Sequence, residues 1–208
     1  VTWITDISVI LQLGLKPIFV DINLDDFSFQ YDDLASKITN KTRAIFLTHL
    51  LGFPADIARV KQIIGTKKIQ LIEDCCESLG AKYKNKLLGG FGDTATFSFF
   101  PSHHISAGGG GMFTTNKKEI YLTALSLKNW GRQYSNINYI PNQGLIRSDY
   151  IQQYTYEQIG YNFNASEIEA AKGIIQMKKL DKFNEIRGKN FKLLFNFFKK
   201  YEEYFILP

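Results

Sequence analysis

Apolar positions along this chain fall into short runs separated by turn residues. Residues 16–22 (KPIFVDI) predict a strand that enters a turn at Asp25 and Asp26, and residues 31–37 predict a short helix. Residues 42–48 (TRAIFLT) are largely apolar over strand length, the pattern of a strand buried on both faces. Gly52, Phe53 and Pro54 break the pattern, and residues 55–64 read as helix. Residues 69–74 (IQLIED) predict another buried strand, ending in two acids. Strand alternating with helix implies a parallel α/β sheet.

Further along, residues 95–100 are strand-like and lead into a loop carrying His103 and His104. After Gly108–Gly111, residues 112–115 predict a short strand, and Asn116 can cap a helix running to about Asn129. Residues 133–158 form a polar stretch rich in Asn, Tyr and Gln, long enough to predict a functional loop. Asn164 or Ser166 can cap a helix that begins near Glu167 and carries Ile168, Ala171, Ile174 and Ile175 on one face. From Asp181 a long amphipathic helix with many aromatics follows, and a domain junction is placed there. Residues 1–180 are then one domain, and 181–208 begin the connection to a second.

Composition narrows the class. Of 208 residues, 45% are hydrophobic and 22% charged, with 17 Phe and 11 Tyr, which supports a sizeable core and excludes disordered and collagen-like chains. The net charge of +5 comes from scattered lysines and short pairs such as Lys117–Lys118. These read as solvated helix faces; no basic stripe with interleaved aromatics suggests nucleic acid. No apolar run approaches the roughly 18–20 residues of a membrane span, so no membrane partner is expected. No signal peptide opens the chain, which points to the cytoplasm. The chain opens on Val1 and stops at Pro208, and it reads as a fragment of a longer protein. Cys75 and Cys76 are adjacent and no C-x-x-C occurs, so neither a disulfide framework nor a metal site is expected.

Three features carry candidate chemistry. Asp74 ends a buried strand, and α/β sheets bind ligands at the carboxyl ends of their strands. It could pair with a protonated ring nitrogen, or be a helix cap or surface acid. Ser98, His103 and His104 follow the next strand, where a hydroxyl could bind phosphate and an imidazole could shuttle protons near neutral pH. Histidines in such places also serve structure alone. Gly108–Gly111 is flexible but has neither the dinucleotide-binding nor the Walker spacing.

Read as an ordered set, these segments resemble the DegT/StrS family of nucleotide-sugar aminotransferases and dehydratases. The resemblance is carried by residues 71–81 (LIEDCCESLGA), 89–93 (GGFGD) and 97–101 (FSFFP). Residues 1–3, 14–21 and 49–52 fit upstream, and residues 129–132, 154–156 and 159–162 fit downstream. The resemblance implies an α/β fold-type-I pyridoxal phosphate enzyme, here the large domain with its mainly parallel sheet and flanking helices, truncated at both ends. It implies that Asp74 pairs with the pyridine nitrogen, Trp3 stacks on the ring, Ser98 bonds the phosphate and Glu77 lies beside the ring. Asn162 would reach the phosphate of a partner subunit, so a homodimer with shared active sites is expected.

His103 stands where the family carries its Schiff-base lysine. This variant resembles the 3-dehydratase branch, and it implies a cofactor held without a covalent bond, as pyridoxamine phosphate. The implied reaction loses the C3 hydroxyl of a nucleotide-linked 4-keto-6-deoxyhexose, with His103 as the base at the cofactor's C4′ carbon. The product class is the 3,6-dideoxysugars of lipopolysaccharide O-antigens. His104 receives no role. One branch, acting on CDP-sugars, holds a [2Fe–2S] cluster on four cysteines. Cys76 matches one of them, but residues 133–136 (QYSN) carry none, so no iron–sulfur cluster is expected. That favours the GDP-sugar branch, with glutamate as amino donor. Gly109 stands where relatives usually carry an acid. The alternatives are a pyridoxal phosphate-dependent sugar aminotransferase and a non-catalytic relative of the fold.

Overall fold

The computed structural model describes residues 1–134 and 154–208. A four-stranded sheet runs in the order β1 (Ala44–Thr48), β2 (Gln70–Asp74), β5 (Thr94–Ser98), β6 (Gly111–Thr115). The first three strands are parallel and β6 is antiparallel to β5. A two-residue turn at Lys84 and Asn85, both at positive φ, closes a small hairpin of β3 (Lys82–Tyr83) and β4 (Lys86–Leu87). The helices are α1 (Ile4–Gln12), α2 (Tyr31–Lys37), α3 (Ile57–Ile64), α4 (Lys118–Lys128), α5 (Glu167–Met177) and α6 (Leu180–Phe198).

Register decides what each sheet face does. Ile45 and Leu71 pair, as do Leu47, Glu73 and Ala95, and these face a core shared with Leu34, Ile57 and Val60 of α2 and α3. The opposite face carries Phe46 beside Ile72, then Thr48, Asp74 and Thr96 in a row. Phe46 and Ile72 are only partly covered. The expectation of strands buried on both faces is therefore corrected. Two helices cover one face, while the other meets the start of α1, none of whose residues is buried.

Two other expectations change. Residues 16–22 do not form a strand of the sheet; Ile22 makes a single bridge to Phe29. Two of their backbone groups bond side chains of α2 instead: Asp33 Oδ2 accepts from Asp21 N–H at 2.8 Å, and Lys37 Nζ donates to the Phe19 carbonyl at 2.8 Å. Asn116 does not cap α4, whose N-cap position is Lys117 with no side-chain bond. Thr115 Oγ1 accepts the Lys117 N–H there. Helix α1 was not expected at all, because its β-branched isoleucines and valine weaken helix propensity.

Ser166, rather than Asn164, caps α5. Its hydroxyl accepts from Glu169 N–H at 3.2 Å while Glu169 Oε2 accepts from Ser166 N–H at 2.8 Å. Ser166→Ala is expected to lower stability by about 1 kcal/mol, read as a shift in the denaturant midpoint with unchanged slope.

Helix α6 begins at Leu180 and packs beside the sheet. Leu180 is buried, Asn184 Nδ2 donates to the Leu79 carbonyl at 3.2 Å, and Phe191 meets Phe53 edge-on at 5.8 Å. Residues 129–132 and 154–162 are joined by backbone bonds, among them Trp130 N–H to Tyr161 O at 2.8 Å and Glu157 N–H to Gly131 O at 2.9 Å. The chains cross at Gly131 and Gly160, so closely that a Cβ on either would strike the other's backbone segment. Most of the expected functional loop, 135–153, lies outside the described residues.

Candidate active site

Asp74 is 6% exposed at the carboxyl end of β2. Its Oδ1 accepts the Cys76 N–H at 3.0 Å, which fixes the carboxylate against the turn that follows the strand. Thr48 and Thr96 flank it on neighbouring strands. The start of α1 is tied to this row: the hydroxyls of Thr2 and Thr48 are 2.9 Å apart, and Thr48 Oγ1 donates to Asp6 Oδ2 at 3.4 Å. Thr2 also donates to Asp6. This tether brings Trp3, the residue next to Thr2, to the same end of the sheet, with its ring largely exposed.

Directly behind Asp74, on the core face, is a polar group that the sequence analysis did not anticipate. His49 and Glu73 are both fully buried. Ala55 N–H donates to His49 Nδ1 at 3.3 Å, which leaves Nε2 to donate to Glu73 Oε2 at 3.2 Å. Glu73 also accepts N–H groups from Gly89 at 3.0 Å, Phe91 at 2.7 Å and Gly92 at 2.5 Å. Burial alone would raise the pKa of Glu73; the bonds from His49, Gly92, Gly89 and Phe91 outweigh it and hold the carboxyl below its ordinary value. Cys75 shares this buried group, with ligand atoms of all three residues within 4.8 Å. The carboxylate and both imidazole nitrogens are already engaged by protein partners. Burial, and then the nearby Glu73, push the Cys75 thiol up to about 12. Cys76 is also raised, by burial and by Asp74. Both cysteines are held as thiols. The signal for this group was present in sequence as an acid one residue before Asp74, followed by a glycine-rich 89–92.

Ser98 ends β5, adjacent to β2. Its Oγ accepts from Phe100 N–H at 3.2 Å, so its own proton stays free to donate. The loop beyond is closed by His103 N–H to Phe100 O at 3.0 Å and Ala107 N–H to Phe99 O at 3.0 Å. His103 and His104 are half-buried and line a cavity of about 320 Å³ with Pro101, Gln176, Phe183 and Arg187. Arg187 Nη2 donates to the His103 carbonyl at 3.5 Å. Burial lowers the pKa of His104, and the positive charge of Arg187 adds to this. The buried Nδ1 of His104 has no partner among the described residues.

Two expected site residues are placed differently from the rest. Glu77 Oε2 accepts the N–H of Leu51 at 2.8 Å, and so holds a residue at φ 54° in the turn after β1. Asn162 pairs with Asn129 at the end of α4, where its Oδ1 accepts from Asn164, rather than with β2 or β5. Asp74 and Ser98 are thus brought to one end of the sheet, with Trp3 tethered there and His103 on the loop leaving it. The donor set suits a phosphorylated pyridine: a buried acid for a basic ring nitrogen, a free hydroxyl donor for phosphate, and an aromatic face.

A sequence model described as the DegT/DnrJ/EryC1/StrS aminotransferase family matches residues 1–208. The GDP-4-keto-6-deoxy-D-mannose 3-dehydratase of Escherichia coli O55:H7 is 36% identical over 96% of this chain and 52% of its own length. The GDP-perosamine synthase of Escherichia coli O157:H7 is 38% identical over 88% of this chain and 46% of its own. A crystal structure of GDP-4-keto-6-deoxymannose-3-dehydratase, with pyridoxal phosphate and glutamate trapped as a geminal diamine, superposes with a TM-score of 0.88. It is 34% identical and matches 96% of this chain and 52% of that one. The chain spans about half the length of these relatives. Among the described residues, no helix is long and apolar enough to cross a membrane.

Proposed function

Because this chain belongs to the DegT/DnrJ/EryC1/StrS aminotransferase family, we propose that the protein containing it removes the C3 hydroxyl, as water, from a nucleotide-linked 4-keto-6-deoxyhexose. What carries this is the resemblance that puts His103, on the loop after β5, where the family's Schiff-base lysine is expected, together with the positions of Asp74 and Ser98 at the ends of β2 and β5. Likeness to the GDP-4-keto-6-deoxymannose dehydratases supports it.

Pyridoxamine phosphate would supply an amine for the sugar's C4 ketone and a ring that accepts electrons. The remaining work falls to this chain. Asp74, fixed by Cys76 N–H, would hold a proton on the ring nitrogen. Ser98 would donate its hydroxyl to the phosphate, and Trp3 would cover one ring face. His103 would take the proton from the cofactor's C4′ carbon; an imidazole suits that step near neutral pH. Glu77, whose Oε2 accepts from Leu51 N–H, would lie beside the ring. Asn162 would serve the site of a partner subunit, which makes the working unit a homodimer. With no cysteine at 133–136, the GDP-linked sugar is the favoured substrate and no iron–sulfur cluster takes part. Glutamate would restore the amine form, as the adduct trapped in the related dehydratase suggests. The division at 181, with 1–180 as one domain and 181–208 beginning the connection to a second, belongs to the same proposal.

Likeness to GDP-perosamine synthase supports a second reading, transfer of an amino group to the sugar. The full-length protein, given pyridoxamine phosphate, glutamate and GDP-4-keto-6-deoxymannose, decides between them by product mass. A nitrogen-free sugar lacking one oxygen is expected. An amino sugar would establish the second reading instead.

A further inference from the structure

Asp74 has a second carboxyl beside it. Asp6, in the first turn of α1, is tied to the same end of the sheet, close enough for its charge and that of Asp74 to be felt by one another. It is anchored there by the hydroxyls of Thr2 and Thr48, and Thr48 stands in register with Asp74. Two carboxylates this close resist being ionised together. Burial, with a further contribution from Asp74, raises the Asp6 carboxyl to about 6. Thr2 before α1, Thr48 at the end of β1 and Cys76 after β2 stand beside the pair, and the raised Cys76 thiol senses both acids. Nothing basic among these neighbours explains why a second acid is kept at a half-buried position.

We propose that Asp6 is a positioning residue for the cofactor's ring nitrogen: it stands behind Asp74 as a second acid, and the two carboxyls together hold the proton at that nitrogen. This rests on the reading of Asp74 given above. A cation presented to Asp74 meets the field of two carboxyls rather than one, and it relieves their repulsion. Bound ring nitrogen should therefore stay protonated to higher pH than one facing a single acid. Because Asp6 approaches from α1 and Asp74 from β2, the two acids and Trp3, three residues before Asp6, are gathered at one end of the sheet.

The test is the ¹⁵N shift of ring-labelled pyridoxamine phosphate bound to the full-length protein, followed through a pH titration. In Asp6→Asn, the pH at which the ring proton is lost should fall by about one unit or more. Asn keeps an oxygen that can accept from Thr2 and Thr48. Asp6→Glu should restore most of the shift, and Asp6→Ser replaces Asp6→Asn if the latter does not fold. An unchanged titration in the neutral variants, with a lost ring proton in Asp74→Asn, would overturn the role of Asp6 and leave Asp74 standing. No change in Asp74→Asn either, or no binding by the parent protein, would overturn both.

Discussion

His103→Ala is expected to slow water loss from the sugar by about 10²–10⁴-fold, the usual contribution of a positioned acid or base. Cofactor affinity should change little, since Asp74, Ser98 and Trp3 lie on other elements. The backbone of the loop should persist, because His103 contributes its N–H and carbonyl there, to Phe100 and Arg187, and alanine supplies both. His103→Lys carries the complementary expectation. An amine at this place should bond pyridoxal phosphate covalently, trapped by borohydride and read by mass. A full rate in His103→Ala would move the base elsewhere, with half-buried His104 the nearest imidazole.

Glu73→Ala is expected to destabilise the fold by roughly 3–5 kcal/mol, the cost of removing one partner from a buried charged network. Four donors lose their acceptor at once: His49 Nε2 and the N–H groups of Gly89, Phe91 and Gly92. His49 is fully buried, so water is a poor substitute partner for its Nε2. Glu73→Gln should cost less, since it keeps one acceptor oxygen, but its amide turns donors toward donors. The midpoint of chemical denaturation measures both. The pH dependence has a definite sign. The folded pKa of Glu73 lies below the unfolded value, so its contribution is complete above the unfolded pKa and is lost as pH falls through the folded one. Acid should therefore narrow the gap between the parent protein and Glu73→Gln.

The parallel strands were legible because short apolar runs bounded by Gly, Pro and acids leave few alternatives. Residues 42–48 and 69–74 contain β1 and β2, and 31–37 coincides with α2. What escaped is what depends on partners distant in sequence. The segment 16–22 has a strand's composition, yet a strand needs a neighbouring strand, and here α2 takes its backbone donors and acceptors instead. The place of Asp74 followed from the rule for strand ends. The neighbouring Asp6 did not, since 68 positions separate the two and it is the contacts of Thr2 and Asp6 with Thr48 that bring them together. His49 was visible only as part of a family resemblance; that it bonds Glu73 follows from the pairing of β1 with β2.

The alternation of Glu73 and Asp74 across the sheet sets a limit on how this gene can change length. Adding or removing one residue within β2, or shifting its register by one, would exchange the two acids. The carboxylate that secures Gly89–Gly92 would turn to the face of Thr48 and Thr96, and the one proposed to hold the ring nitrogen would enter the core. Neither the fold nor the site could be repaired by a substitution elsewhere. Single-codon insertions and deletions should be excluded from β2 far more strictly than from the Lys84–Asn85 turn a few residues on.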